Sequence, residues 1–376
     1  SLDGFERQPE LIASLADDVD LATPPRAELV ERAAAAMAWR DAPDEQRSGL
    51  QRLRRIETVR TAARDVLGLD DVEDSATALT ALAEATLESA LTALSPPVPM
   101  AVIAMGRFGG AELSYASDLD VLLVYEAADN DDVAAAERTA ETLMRFMKGD
   151  TPAGRVWLLD ADLRPEGRQG PLARSLDGYR TYYERWAQTW ERQALVRARP
   201  VAGDPDVGRR FMTLVDEFVW TRTPDDDEVR EIRRMKARIE RERIPAGEDP
   251  QFHLKLGRGS LSDVEWTAQL LQLRHGVRAQ GTMAALVALR EAGLLEHDDA
   301  EVLTASYRFC ERARNRWFLV KGAPGDALPS QADQLATLAR SLDLSAADLR
   351  NHYRRVTRRA RQVVERVFYG RTGPAD

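Results

Sequence analysis

Residues 101–126 read AVIAMGRFGGAELSYASDLDVLLVYE, and this stretch decides the fold. A short apolar run, Ala101 to Met105, is followed by a turn through Gly106 and the pair Gly109-Gly110. A second apolar run, Val121 to Tyr125, is entered through Ser117-Asp118-Leu119-Asp120. β-rich apolar runs bounded by glycine predict buried strands. Asp118 and Asp120 are separated by one residue, so an extended backbone aims both carboxylates at one face. Carboxylates that close repel each other unless a cation lies between them. A hard ion such as Mg²⁺ favours one or two carboxylates together with substrate phosphates. The upstream glycines let backbone N–H groups approach a phosphate with no Cβ in the way. Taken alone, Asp-x-Asp also marks solvated strand ends and turns, and a lone Gly-Gly says less still. The order strand, Gly-Gly, spacer, Ser-Asp-x-Asp, apolar strand favours a metal-dependent nucleotidyl-transfer site.

The run GRFGGAELSYASDLDVLLVY resembles the nucleotidyltransferase signature of the bacterial glutamine synthetase adenylyltransferases, within the DNA polymerase β superfamily. Those enzymes are tandem proteins with two similar catalytic halves, one removing AMP from glutamine synthetase and one adding it. ELSYASDLD and the closing VVERVFYG are similar to the C-terminal, adenylylating half in its actinobacterial form. The likeness continues through LRPEGRQGPLARS, WERQALVRARPVAGD and KLGRGSLSDVEW, so it covers most of the chain.

At 376 residues the chain has room for two or three domains. Charged residues make up 30% and hydrophobic residues 44%, an ordinary globular composition. The net charge of −10 argues against a general nucleic-acid binder, which carries a basic excess. A polymerase-like signature therefore does not imply a polymerase. Cys310 is the only cysteine, which excludes an internal disulfide and a cysteine zinc site; its apolar neighbours predict a buried, inert thiol. No signal peptide and no apolar run long enough for a bilayer is found, so no membrane partner is expected and the cytosol is the default. A start at Ser1 without Met fits a piece of a longer protein.

Residues 1 to about 95 are expected to be a helical lead-in. Glu28 to Arg40 is rich in alanine, and Gly49 to Leu67 places Leu50, Leu53, Ile56, Val59, Ala63, Val66 and Leu67 on one face, with Gly68 as a stop. Ala76 to Leu94 reads as a second long helix ended by Ser95-Pro96-Pro97. After Tyr125 come an acidic turn, a helix Val133 to Lys148 stopped at Gly149-Asp150-Thr151-Pro152, and an apolar strand Val156 to Asp160. Asp160 leaves that strand as a possible third acid, able to take the attacking group's proton and share a metal. Asp162 lies on the same strand face by parity and competes with it. The resembled family's pattern around Leu-Arg-Pro assigns the role to Asp160. Arg164 is a candidate phosphate contact, or a salt bridge to Glu166.

Tyr179 to Ala198 reads as one long helix with a core-facing aromatic stripe, broken by Pro200 to Asp204. Glu191, Gln193, Arg197 and Arg199 match family positions, a match which implies that they line the nucleotide pocket or brace it from behind. From about Phe211 the pattern is helical. Val229 to Arg243 is densely charged and reads as a solvated helix. Gly257 to Ser260 predicts a turn, with Ser262 or Asp263 capping the next helix. The resemblance turns that loop toward the site, with Lys255 and Arg258 near phosphates. Ser260 replaces a glycine usual in the family, which puts a left-handed backbone there in question. Met283 to Gly370 predicts four helices broken near Gly293, Pro324 and Pro329, with a frayed tail. The four histidines are too scattered for a metal pattern.

The expected architecture is α+β: a polymerase-β-like sheet domain at 96–215 beside the lead-in at 1–95, followed by an all-helical bundle at 216–376. The expected reaction is in-line attack on the α-phosphate of ATP, with Mg²⁺ held by Asp118, Asp120 and Asp160. Gly109, Gly110 and Ser117 are expected at the β and γ phosphates. The resemblance implies a tyrosine of glutamine synthetase as acceptor and a nitrogen-signalling regulatory protein as a further partner. Removal of AMP at the same kind of site, a catalytically idle nucleotide-binding regulatory module, and a small-molecule nucleotidyltransferase remain open.

Overall fold

The computed structural model describes residues 21–371, apart from 39, 41, 152 and 153. The first 20 residues of the expected lead-in, the tail beyond Arg371 and Pro152 of the expected helix stop lie outside the described residues. The fold is α+β, a small mixed sheet among helices followed by a helical region. By contacts the chain falls into two units: residues 2–113 with 117–221, and 222–376 with 114–116.

The first unit opens with α1 (Arg26–Met37), α2 (Pro43–Leu67) and α3 (Val72–Leu94). Pro43 sits in the first turn of α2, where its missing N–H has no helical partner to lose, and Gly68 ends the helix at φ 72°. Asp71 and Asp74 exchange side-chain and backbone hydrogen bonds in a capping box at the start of α3. The buried face of α2 differs from the expected one. It runs through Leu50, Leu53, Glu57, Arg60 and Thr61, while Val66 and Leu67 are exposed. Glu57 and Arg60 pair with each other, and Arg32 reaches Glu57 at 3.0 Å. Charges satisfied in this way tolerate burial.

β1 (Met100–Ala104) is buried along its whole length, as a continuous apolar strand requires. It runs antiparallel to β2 (Leu119–Tyr125) on one side and to β5 (Arg199–Gly203) on the other. The short helix α4 (Gly106–Gly109) follows β1, and α5 (Asn130–Lys148) follows β2. β3 is only Leu159–Asp160, shorter than the expected strand from Val156, and β4 (Ala173–Ser175) was not expected. Both run parallel to β2, β3 at its start and β4 at its end.

The expected helix from Tyr179 to Ala198 is two helices, α6 (Leu176–Arg185) and α7 (Thr189–Ala194). The chain leaves the helical region at Trp186, and a capping box between Gln188 and Glu191 starts the second helix. Pro200 does not break a helix but lies in β5, at the edge of the sheet, where its missing N–H removes no ladder bond from a central strand. α8 (Pro205–Trp220) closes this unit, capped by Asp204.

The second unit holds α9 (Asp226–Glu242), α10 (Leu261–His275), α11 (Thr282–Glu291), α12 (His297–Lys321), α13 (Ala332–Arg340) and α14 (Ala346–Val367). α9 is not simply solvated: Lys236 is fully buried and paired with both Asp263 and Glu240. Neither Ser262 nor Asp263 is the N-cap of α10. That position belongs to Ser260, whose φ of −93° is extended, while Gly259 takes the left-handed turn at φ 75°. The serine-for-glycine exchange is thus accommodated without strain. Cys310 is buried on α12, and burial pushes its thiol well up. Among the described residues no helix is long and apolar enough to cross a membrane.

Candidate active site

The parallel ladder between β2 and β3 pairs Leu119 with Leu159 and Asp120 with Asp160. Register partners on neighbouring parallel strands project from the same face, about 4.8 Å apart. Asp118 precedes Asp120 by two residues and lies directly before β2 begins. The alternation is visible in burial: Leu119 is buried, Asp118 exposed, and Asp120 and Asp160 half-buried. The backbone is fixed by Met105 N–H donating to Asp120 O at 2.8 Å and Leu119 N–H to Leu158 O at 2.9 Å. Among the described residues, the acid and imidazole groups that close to within 4.8 Å as a set of three are His297, Asp298 and Glu301, on exposed surface.

Asp160 and Asp162 are separated by the end of β3. Asp160 Oδ1 accepts the Asp162 N–H at 2.8 Å, which turns the chain and fixes the Asp160 carboxylate. Asp162 lies in the following turn, not on the strand face expected from parity, and its carboxylate takes Arg168 Nε at 2.8 Å. The segment leading into β3 is pinned to the lead-in helices. Arg54 of α2 donates to Val156 O and lies 3.9 Å over the Trp157 ring, whose Nε1 donates to Thr86 Oγ1 of α3 at 3.0 Å. Burial, and then the neighbouring Arg155, lower the Arg54 guanidinium to about 10.

Gly109 N–H donates to Met105 O at 2.7 Å and Gly110 N–H to Gly106 O at 3.1 Å, so both donors belong to the turn of α4. Gly109 is required by packing, because a Cβ there would stand 2.0 Å from Arg197 O. Gly106, read from the sequence only as part of the turn, is the one that meets Asp120. Its φ is 52°, and a Cβ would stand 2.3 Å from Asp120 Oδ2. The sequence signal was available: a glycine directly after a buried strand and before Asp-x-Asp. Ser117 is half-buried beside Asp118.

The family-motif arginines are braces. Arg199 Nη1 pairs with Glu84 of α3 at 2.5 Å, while its other nitrogens donate to Phe108 O at 3.3 Å and Gly109 O at 3.4 Å. Arg197 pairs with Glu112 at 3.0 Å. Arg164 donates to Ala161 O at 2.8 Å and Gly170 O at 3.3 Å, holding its own loop, and Glu166 pairs with Arg174 instead. Glu191 is buried with Oε2 accepting Gln188 N–H at 2.7 Å and the Tyr182 hydroxyl at 3.2 Å, and burial raises its carboxyl. Gln193 is buried next to it on α7.

Lys255 and Arg258 lie in the helical unit and do not converge there. Arg258 lines a cleft with arginines of α14. Lys255 is not in that lining and instead stands by Asp326, helping Arg314 hold that carboxyl down against the upward push of burial.

A family model described as glutamate-ammonia ligase adenylyltransferase matches residues 3–214. A second, described as GlnD PII-uridylyltransferase, matches residues 232–369. The bifunctional glutamine synthetase adenylyltransferase/adenylyl-removing enzyme of Streptomyces avermitilis is 42% identical, over 97% of this chain and 40% of its own length. The protein of the same description in Mycobacterium tuberculosis H37Rv is 44% identical, over 90% of this chain and 36% of its own length. That of Nocardia farcinica is 41% identical, over 96% and 38%. The chain thus spans about two fifths of the length of the curated relatives it matches.

Proposed function

The chain belongs to the glutamate-ammonia ligase adenylyltransferase family, and we propose that its sheet unit transfers AMP from ATP to a tyrosine hydroxyl of glutamine synthetase in the cytoplasm, releasing pyrophosphate. The observation that carries this reading is the acid face, on which Asp120 and Asp160 are ladder partners and Asp118 lies two residues upstream. An all-carboxylate donor set suits Mg²⁺, which takes oxygen ligands and keeps sites for phosphate. Asp118 and Asp120 would hold the ion at the triphosphate, with Asp160 completing the set toward the acceptor. When bound, Mg²⁺ supplies charge neutralisation on the phosphates and lowers the pKa of the attacking hydroxyl. A tyrosine hydroxyl titrates near 10, so Asp160 is placed to hold its proton as attack begins. Asp160 Oδ1 is committed to the Asp162 N–H, which leaves Oδ2 for that proton. The Ser117 hydroxyl is the donor assigned to the phosphates. Gly109 serves by close packing, and Gly106 by making room for the Asp120 carboxylate.

The match of residues 232–369 to the PII-uridylyltransferase model supports a nitrogen-signalling regulatory protein as a further partner. The relatives' names carry both an adenylylating and an adenylyl-removing activity, so the decisive experiment runs both ways. The chain is incubated with labelled ATP, Mg²⁺ and unmodified glutamine synthetase, and separately with AMP-labelled glutamine synthetase and phosphate. Label should pass to the protein substrate in the first mixture, and Asp118→Asn should stop it. Label release in the second mixture alone would assign this chain the removing reaction.

A further inference from the structure

We propose that the helical unit carries an anion site of its own, a cleft between the loop at 250–258 and α14 that takes the phosphate groups of a nucleotide-sized ligand. The cleft measures about 630 Å³ and is lined by Arg258, Arg354, Arg358 and Arg361, with Gln251 and Gln362 among its polar residues and no carboxylate in its lining. That volume lies within the roughly 300–1,000 Å³ of small-molecule pockets. A second recess of about 370 Å³ shares Arg258 and Arg361 with it and reaches Tyr369 and Arg371. Four guanidiniums around one space, in a chain of net charge −10, repel one another and favour an anion among them. Among the described residues neither Arg258 nor Arg358 is paired with a carboxylate.

Arginines on a solvated helix face are free to splay apart, but Arg354 and Arg361 are held. Arg354 lies over the Phe252 ring at 4.9 Å. Arg361 is held by Asp263 at 3.0 Å and by Glu365, and its Nε is buried without a hydrogen-bond partner. Arg258 rides on a loop that cannot move away from α14. Gly259 beside it has φ 75°, a Cβ there would stand 1.9 Å from Thr357 O, and its N–H donates to Asp263 Oδ2 at 2.6 Å. The fully buried Asp263 thus ties the loop to Arg361 and to Lys236 at once. A buried ionic cluster of this kind adds little net stability after desolvation, so its effect is to fix geometry. What it fixes is the Arg361 guanidinium and the backbone of the loop that carries Arg258. Planar guanidinium donors match phosphate oxygens in pairs, which assigns the ligand to phosphate chemistry. The assignment gives Arg258 a role within the helical unit, and it stands whichever direction the proposed reaction runs.

The test is calorimetric titration of the whole chain with pyrophosphate, and separately with ATP and inorganic phosphate, in EDTA so that the acid face holds no metal. Pyrophosphate should bind saturably at one site. Arg358→Glu and Arg354→Gln, both at exposed positions on α14, should weaken it by about tenfold or more, the scale of a lost charge-assisted hydrogen bond. Unchanged thermal melts would show that both variants fold. Asp118→Asn, which disables the proposed transfer, should leave this binding as it is. Inorganic phosphate competing as well as ATP would make the ligand a simple phosphate; ATP binding tighter would make it a nucleotide. Absence of saturable metal-free binding, indifference to both arginine variants, or loss in Asp118→Asn would each overturn the proposal. Polyglutamate binding that pyrophosphate cannot displace would overturn it as well, by making the partner an acidic polypeptide.

Discussion

Gly106→Ala removes no hydrogen-bonding group, yet it should lower both stability and turnover. An added Cβ would stand 2.3 Å from Asp120 Oδ2 and 3.1 Å from its Cγ, at a residue whose φ is 52°. An L-residue in the left-handed region costs about 1–2 kcal/mol. Contact distances near 3.5 Å, roughly the van der Waals optimum, then require the carboxylate to retreat by about 1 Å. Twisting Asp120 off its rotamer to do so adds about 0.5–1.5 kcal/mol. The sum, about 1.5–3.5 kcal/mol, corresponds to a fall of roughly 3–14 °C in Tm for a unit of this size. A catalytic group displaced by about 1 Å costs on the order of 10²-fold in rate. Gly68→Ala is the matched control, because Gly68 has φ 72° and nothing within 4 Å of its would-be Cβ. It should show the strain in a melt and keep full activity. Thermal melts and single-turnover AMP transfer at saturating Mg²⁺ measure both quantities. A Gly106→Ala variant that melts like Gly68→Ala and transfers within about twofold of wild type would refute the reasoning, since the Asp120 carboxylate would not then be constrained by the glycine.

Three further outcomes follow from named contacts. Asp160→Asn should depress turnover far more than ATP affinity, while Asp162→Asn should change neither much, its partner Arg168 being an exposed residue; single-turnover rates with ATP titrations decide, and the reverse order would move the third acid to Asp162. Lys236→Met leaves Asp263 buried with one cation fewer and should cost about 3 kcal/mol or more in denaturant unfolding, whereas a loss under about 1 kcal/mol would mean that the pair is hydrated. Burial pushes the Asp263 carboxyl up, but Lys236 and Arg361 outweigh it and hold the group down to about 2. Its folded value lies below the unfolded one, near 3.9, so the stabilisation is complete above about pH 4 and is lost as pH falls toward 2. Denaturant midpoints at pH 5 and 2.5 should differ more in wild type than in Asp263→Asn, and equal differences would assign acid unfolding to other carboxylates.

The two buried strands around the glycine turn, the family and the α+β class were legible because each has a local signal. Continuous apolar runs mark β1 and β2, and glycine and proline mark the ends of α2 and the later helices. What was not legible depended on partners far along the chain. β3 and β4 have two and three residues, too few to show a period, and exist only because β2 pairs with them. Pro200 reads as a breaker until β1 is beside it. Lys236 sits in a run of charges indistinguishable from a solvated face, and only Asp263, 27 residues on, explains its burial. The face of α2 was misjudged for the same reason, since Glu57 and Arg60 are polar by type but satisfy each other. In the candidate site, strand parity pointed to Asp118 and Asp120 as a pair, and the ladder begins one residue after Asp118. The choice of Asp160 over Asp162 is supported by where the β3 ladder stops.

These long-range ionic contacts make the lead-in helices part of the acid face. Glu84 of α3 is buried and takes Arg26 of α1 and Arg199 of β5, each at 2.5 Å. Arg199 in turn holds the carbonyls of Phe108 and Gly109, at the C-terminal end of α4, where a cation also opposes the negative end of the helix dipole. The same short helix begins at Gly106, against the Asp120 carboxylate. On the other side of the face, Arg54 of α2 holds Val156 O in the segment that delivers Asp160. Each aspartate of the ladder pair is therefore steadied through an arginine tied to the lead-in. Mutually repelling carboxylates would drift apart on a pliant sheet edge, and two short strands with few ladder bonds cannot resist that alone. Half-buried arginine clamps on backbone carbonyls supply the resistance, Arg199 anchored on Glu84 and Arg54 stacked on Trp157.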